Sequence, residues 1–106
     1  MTDEIEKKFG VSIEITAVQE MQAPAPTPVD APVVSSLQDA INNVYGVHAA
    51  PQGIGGGTIA AIFRKYNYPA AVWSRINSTA HQPNENCLIS NMIGNAKVYA
   101  YLFMVK

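Results

Sequence analysis

The sequence has few cysteines, few charges and no long hydrophobic run. Its 106 residues include one cysteine, and 14% of them are charged. A single cysteine, Cys87, excludes an internal disulfide and fits a reducing compartment. The longest apolar run, residues 98–105, is much shorter than the ~20 residues of a membrane-spanning helix. The charged N-terminus has no signal-peptide pattern behind it. We therefore expect a soluble, cytoplasmic chain that does not enter a membrane.

Carboxylates are scarce in the second part of the chain. Residues 1–39 contain seven acidic and two basic side chains, whereas residues 40–106 contain five basic side chains and one acidic side chain, Glu85. Because carboxylates are the usual general bases and hard-metal ligands, the second stretch cannot easily assemble a complete hydrolytic or metal centre alone. The net charge of −1 gives no basic surface, so we expect no nucleic-acid partner.

The residues that are present predict both strands and helices. Alternating β-branched residues over 11–19 predict a half-buried strand after the end of a helix at residues 2–9. Four prolines in residues 23–32 predict an extended connector, because proline fixes φ and has no backbone donor. The apolar run at residues 70–74 is typical of a strand buried on both faces.

Three later segments have apolar residues at helical spacing. Asp30 is placed to cap the first helix, with Pro32 in its first turn and Gly46 at its end. The second helix follows Thr58, and the third covers residues 88–104. The apolar face predicted for the second helix comprises Ile59, Ile62, Phe63 and Tyr66. The face predicted for the third comprises Leu88, Met92, Ala96, Tyr99, Leu102 and Phe103.

This order of elements predicts an α/β fold, with a small sheet and helices packed against it. A sheet of two or three strands is marginally stable alone. We therefore expect a larger unit to complete the fold. Exposed apolar surface and unpaired strand edges also predict association into a homo-oligomer.

A glycine-rich loop, G-I-G-G-G-T, occupies residues 53–58 before the second predicted helix. Glycines let backbone N–H groups approach a ligand closely, and a helix N-terminus favours an anion. The spacing fits neither the dinucleotide fingerprint nor the nucleotide-phosphate loop. Two readings remain, a cradle for a smaller anion such as a carboxylate and a flexible turn without a ligand.

A second motif, T-A-H-Q-P-N-E, occupies residues 79–85. His81 follows a predicted strand, and ligands commonly bind beyond the carboxyl ends of strands in α/β proteins. Neutral imidazole is also the commonest side-chain metal ligand. The alternative is an ordinary surface histidine. His48 is interpreted as a loop residue, because it has no partner at metal-ligand spacing. Cys87 has no nearby basic residue or second cysteine, so it is interpreted as a packing residue in the first turn of a helix rather than as a nucleophile.

Together, G-I-G-G-G-T, A-A-V-W-S and T-A-H-Q-P-N-E resemble the C-terminal part of the dinuclear-zinc amidohydrolases and peptidases. That family includes succinyl-diaminopimelate desuccinylase, acetylornithine deacetylase, aminoacylase and carboxypeptidase G-type enzymes. The resemblance implies that residues 1–22 end a lid (dimerisation) domain, with a strand at 11–19. It implies that residues 23–31 cross to the catalytic domain and that residues 32–106 form the C-terminal part of a zinc-exopeptidase-like catalytic domain.

The resemblance also implies roles for individual residues. His81 matches a zinc ligand, and Gly56, Gly57 and Thr58 match the loop that binds the substrate carboxylate. The implied reaction is hydrolysis of an amide bond in an N-acylated amino acid or short peptide, at a dinuclear zinc centre. Ile59 and Ala60 depart from the family, since many members have an aspartate just after this threonine.

The family's other zinc ligands and its general-base glutamate lie in an N-terminal portion that has no counterpart here. We therefore expect a fragment or subunit that is inactive alone and needs the missing N-terminal half or a separate chain. The alternative is a non-catalytic oligomerisation or interaction module that retains the fold.

Overall fold

The computed structural model describes residues 1–53 and 56–104. Over these residues the chain forms four helices: α1 (Thr2–Phe9), α2 (Pro32–Tyr45), α3 (Ile59–Lys65) and α4 (Ile89–Met104). No helix in these two ranges is long and apolar enough to cross a membrane.

The predicted small sheet is missing from the described residues, so the α/β prediction is wrong for this part of the chain. Strands need backbone hydrogen bonds to a neighbouring strand. Instead, the Ile13 N–H donates to Glu6 Oε1 at 2.7 Å. Beyond the second predicted strand, the Arg75 N–H donates to Asn95 Oδ1 at 3.1 Å, and the Arg75 carbonyl accepts from Asn95 Nδ2 at 3.2 Å. Side chains thus make the hydrogen bonds to these backbone groups that a neighbouring strand would make in a sheet.

The proline-rich connector is extended, as its composition predicts. The Thr27 hydroxyl donates to the Ala70 carbonyl at 2.6 Å and accepts from the Ala70 N–H at 3.1 Å. One threonine side chain therefore joins the connector to the beginning of the segment 70–76.

Helix α2 has the predicted end but a different beginning. Its N-cap is Ala31 rather than Asp30, with Pro32 in the first turn. Gly46 ends it in the left-handed conformation (φ 62°), and its N–H donates to the Asn42 carbonyl at 2.9 Å. The predicted stop at Gly46 is confirmed, because glycine adopts this conformation without a Cβ clash.

The core lies between α2 and α4. Ala40, Ile41 and Val98 are buried there. Side chains packed around them are Leu37, Val44, Tyr45, Ala49, Trp73, Tyr101 and Leu102. Helix α2 thus packs against α4 through one apolar face.

The buried face of α4 differs from the predicted one. Asn91, Gly94 and Val98 are its buried residues, whereas Met92 and Phe103 are 58% and 84% exposed. Gly94 faces the Tyr45 side chain so closely that a Cβ would lie 2.8 Å from Tyr45 Cζ. The space available beside α2, rather than hydrophobicity alone, therefore determines which face of α4 is buried.

Helix α3 also buries a different face from the predicted one. Ala60 and Ala61 are buried. The four predicted core residues, Ile59, Ile62, Phe63 and Tyr66, are all exposed. Helix α3 consequently contacts the rest of the chain through small side chains and presents its large apolar ones to solvent.

The molecule is extended for its size. Its radius of gyration is 19.5 Å, whereas a compact domain of this length has about 13 Å. Its accessible surface is 9100 Å², compared with about 5,800 Å² for a compact protein of the same mass. The chain therefore buries much less of its surface than a self-contained domain does.

Candidate functional site

His81 lies in a loop, here called the His81 loop (residues 77–86), that precedes α4. The side chain is exposed rather than packed in hydrocarbon. His81 has φ 61° and Asn84 has φ 62°. Non-glycine residues in the left-handed region are uncommon and are held there by their surroundings. The loop therefore presents the imidazole to solvent from a constrained backbone.

Hydrogen bonds within the loop provide this constraint. The His81 N–H donates to Glu85 Oε2 at 3.1 Å. The Thr79 hydroxyl donates to the Asn86 carbonyl at 3.1 Å and accepts from the Asn86 N–H at 3.3 Å. The Gln82 N–H donates to the Thr79 carbonyl at 3.1 Å. The two ends of the loop are thus tied together on either side of His81.

Three asparagines connect the loop to α4. Asn91 Nδ2 donates to Asn77 Oδ1 at 2.9 Å, and Asn77 Nδ2 donates to Asn86 Oδ1 at 2.8 Å. The sequence analysis missed these residues. A signal was present, because five asparagines fall within residues 77–95. Spacing alone does not tell which of them bond to one another.

An open pocket of about 270 Å³ lies beside the loop. Its lining comprises Ile76, Asn77, Ala80, Glu85, Asn86 and Cys87. Cys87 is exposed and precedes α4, so its interpretation as a packing residue in a helix first turn is wrong. Glu85 both lines this pocket and accepts the His81 N–H. Glu85 therefore helps to fix the conformation of the loop.

The glycine-rich loop is described in part, because Ile54 and Gly55 lie outside the described residues. Gly56 has φ 93°, and a Cβ at Gly56 or Gly57 would meet nothing within 4 Å. Thr58 is the N-cap of α3 with extended backbone angles, and its hydroxyl makes no capping hydrogen bond. The backbone around Gly56 and Gly57 is open to a ligand.

The structure does not join the two predicted parts of the site. The backbone bond of His81 goes to Glu85, and the lining of the pocket beside its loop does not include Gly56, Gly57 or Thr58. The described residues also contain no group of three His, Cys, Asp or Glu side chains that could hold a metal ion. Catalytic zinc takes three protein ligands. Among the described residues, His81 is therefore not part of a group with enough ligands for a catalytic zinc ion.

Comparison with known proteins identifies the family. The model of peptidase family M20/M25/M40 matches residues 4–105. The chain belongs to this family. An uncharacterized metallohydrolase of Methanococcus maripaludis is 40% identical over 96 residues, which are 91% of this chain and 23% of that protein. Another from Methanocaldococcus jannaschii is 38% identical over 91 residues, which are 85% of this chain and 22% of that protein.

The chain thus spans about a quarter of the length of these two relatives. Both of these relatives are named metallohydrolases. No solved structure matches the chain significantly.

Proposed function

We propose that this M20/M25/M40 chain supplies part of the active site of a zinc-dependent amide hydrolase. The observation that carries the proposal is the exposed His81, held with φ 61° by its loop within the matched range. The metallohydrolase relatives support a metal cofactor. Zinc as the metal, and an N-acylated amino acid or short peptide as the substrate, rest on the resemblance to deacylases, desuccinylases and exopeptidases.

In this proposal the chain's residues have two tasks. His81 donates an imidazole lone pair to one zinc ion of a dinuclear centre. The backbone N–H groups of Gly56 and Gly57, with the Thr58 hydroxyl, bind the substrate carboxylate. When bound, zinc supplies Lewis acidity toward the amide carbonyl and a nucleophilic water.

The remaining zinc ligands and the general base come from outside this chain. Residues 40–106 contain one acidic side chain, which is too few to supply both the remaining zinc ligands and a general base. We therefore propose a partner, which is either the missing N-terminal half of the catalytic domain or a separate chain. Residues 1–22 then belong to a lid domain, residues 23–31 to the crossing and residues 32–106 to the catalytic domain. The single cysteine suits a cytoplasmic enzyme.

One observation favours a second candidate, a non-catalytic interaction module. Large apolar side chains on α3 and α4 are exposed, including Phe63 at 53% and Phe103 at 84%. Such surface suits association with another chain or a second copy. The module would need neither His81 nor a metal, so zinc binding separates the two candidates.

A chimera tests the enzyme proposal without relying on spontaneous assembly. In it, this chain replaces the matching segment of the Methanococcus maripaludis metallohydrolase, to which it is 40% identical. We expect about two bound zinc ions per chimera, measured by inductively coupled plasma mass spectrometry. We also expect hydrolysis of at least one compound in a panel of N-acyl amino acids and dipeptides.

His81→Ala in the chimera should remove about one zinc ion and abolish hydrolysis while the protein remains folded. His48→Ala is the matched control, because His48 is also an exposed loop histidine, and it should change neither measurement. Unchanged zinc content in His81→Ala would favour the interaction module. Rapid zinc-dependent turnover by the 106-residue chain alone would contradict the need for a partner.

A further inference from the structure

We propose that Asn91 of α4 is a positioning residue for His81, acting through Asn77 and Asn86. The inference rests on the proposed function, because positioning matters only if His81 is a ligand. Its physical basis is a series of hydrogen-bonded side-chain amides, here called the amide run (Asn91, Asn77 and Asn86). The amide run connects the buried face of α4 with both ends of the His81 loop.

Asn91 is the starting point of this run. It is 8% exposed and is the one buried polar residue in the described part of the chain. It lies on the buried face of α4 with Gly94 and Val98. A buried amide is costly unless it is hydrogen-bonded, and its Nδ2 donates to Asn77 Oδ1 at 2.9 Å. The packed helix therefore fixes the position of the Asn77 side chain.

Asn77 connects Asn91 with the other end of the loop. Its Nδ2 donates to Asn86 Oδ1 at 2.8 Å, so the first and last residues of the loop are bridged. Asn86 Nδ2 in turn donates to the Asn84 carbonyl at 3.1 Å. The amide run thus reaches Asn84, which has a positive φ, as His81 does.

The same loop holds His81 through its backbone. The His81 N–H donates to Glu85 Oε2, and Glu85 lies between Asn84 and Asn86. Loss of Asn91 would leave the Asn77 side chain with its bond to Asn86 and without its bond to the buried face of α4. The restraint on residues 84–86 would then weaken. Because a left-handed histidine persists only when its surroundings enforce it, the imidazole would then sample more orientations.

Metal ligands bind best when neighbouring groups fix their orientation. Removal of such outer partners commonly costs about 10–100-fold in metal affinity. In the described ranges, Asn91 is the one buried polar side chain, and it bonds directly to the His81 loop. Asn91 is consequently the residue through which helix packing acts on the ligand.

Asn95 provides a matched control, since it is an asparagine one helical turn further along α4. Its side chain bonds to Ser74, to the Arg75 backbone and to the Tyr45 hydroxyl, all of which lie outside the His81 loop. Asn95→Ala therefore removes a comparable amide from the same helix while leaving the run from Asn91 to Asn86 intact.

The first experiment uses the 106-residue chain and no metal. Hydrogen exchange and NMR are recorded for wild type, Asn91→Ala and Asn95→Ala. In Asn91→Ala we expect the amides of His81 and Asn86 to exchange about tenfold faster, as for one lost hydrogen bond. The His81 ¹³Cα shift should also move away from its left-handed value. In Asn95→Ala the exchange of the His81 and Asn86 amides and the His81 ¹³Cα shift should stay unchanged. The Arg75 amide should exchange faster, because it loses its bond to Asn95 Oδ1.

Asn86→Ala covers the case in which Asn91→Ala does not fold. Asn86 is exposed, so its removal breaks the run without disturbing the α2–α4 core, and it should reproduce the changes at His81. Unchanged exchange and an unchanged ¹³Cα shift at His81 in the folded variants would overturn the inference.

The second experiment measures zinc affinity in the chimera. Asn91→Ala should weaken zinc binding about tenfold or more, with full occupancy restored at saturating zinc, whereas Asn95→Ala should bind zinc as wild type does. If His81→Ala lowers zinc content but Asn91→Ala leaves affinity unchanged, the positioning role is wrong and the proposed function stands. If His81→Ala does not alter zinc content, the proposed function fails first.

Discussion

At the scale of single residues, the His81 loop and Gly94 depend on unusual local geometry. In the part of the chain that the structure describes, three non-glycine residues, Asn67, His81 and Asn84, have positive φ, and two of them lie in the His81 loop. The motif around residue 81 drew attention to the histidine from sequence alone. Its left-handed backbone and its bond to Glu85 were not predictable, because they depend on which of several polar side chains meet across the loop.

Gly94 gives a prediction for stability. Gly94→Ala places a methyl group against the rigid end of Tyr45, which itself packs against Trp73 with ring centroids 6.0 Å apart. We expect a loss of about 1–3 kcal/mol in the free energy of unfolding from overpacking. This loss exceeds the gain of up to about 1 kcal/mol from the better helix propensity of alanine. Urea denaturation followed by circular dichroism measures it.

Gly53→Ala is the control for this change, because a Cβ there meets nothing within 4 Å and Gly53 does not have a positive φ. Its free energy of unfolding should stay within about 0.5 kcal/mol of wild type. Equal stabilities of Gly94→Ala and wild type would show that Tyr45 is not held against α4.

At the scale of secondary-structure elements, local sequence signals predicted the positions of the helices more accurately than which of their faces are buried. Gly46 ends α2 where predicted, since a helix stop depends on one residue and its immediate neighbours. The faces of α3 and α4 were predicted from apolar spacing, and both predictions were wrong apart from Leu102, which packs against the core. Apolar residues surround much of both helices, so periodicity does not single out one side.

Two residues of α4 test which face packs. Val98 is fully buried and Phe103 is 84% exposed. We expect Val98→Ala to lower the free energy of unfolding by roughly 2 kcal/mol, because it leaves a cavity between α2 and α4. Phe103→Ala should change it by no more than about 0.5 kcal/mol, although it removes the larger side chain. Thermal denaturation of both variants measures the difference, and the reverse order would support the face predicted from sequence.

At the scale of the whole molecule, the small core leaves much apolar surface in water. The accessible surface is 9100 Å², and among the four described helices the packed pair is α2 and α4. The scarcity of carboxylates after residue 39 had already indicated an incomplete site. The extended shape indicates that the hydrophobic core is incomplete as well. Composition did not reveal this, because an apolar content of 48% is ordinary for a globular protein.

This surface predicts concentration-dependent association. Ile62 and Phe63 are 52% and 53% exposed on α3. Burial of each on association would contribute about 1.5–3 kcal/mol, so the double variant Ile62→Ser/Phe63→Ser should weaken self-association at least tenfold. Sedimentation equilibrium over a range of concentrations measures this.

Val18→Ser is the control, since Val18 is 96% exposed but lies in a segment without helix. It should associate as wild type does. A wild-type chain that stays monomeric at the highest concentrations, or a double variant that associates normally, would contradict association through α3.

The sequence by itself determined the positions of the helices, the extended connector, the His81 motif and the family resemblance. These features depend on residues close together in the chain, so short-range rules and motifs suffice to find them. The tertiary structure alone decided that residues 11–19 and 70–74 do not pair, that Gly94 faces Tyr45, and that Asn91 supports the His81 loop. Each of these depends on contacts between distant segments, where available space and hydrogen-bond partners select one of several arrangements that the local sequence permits.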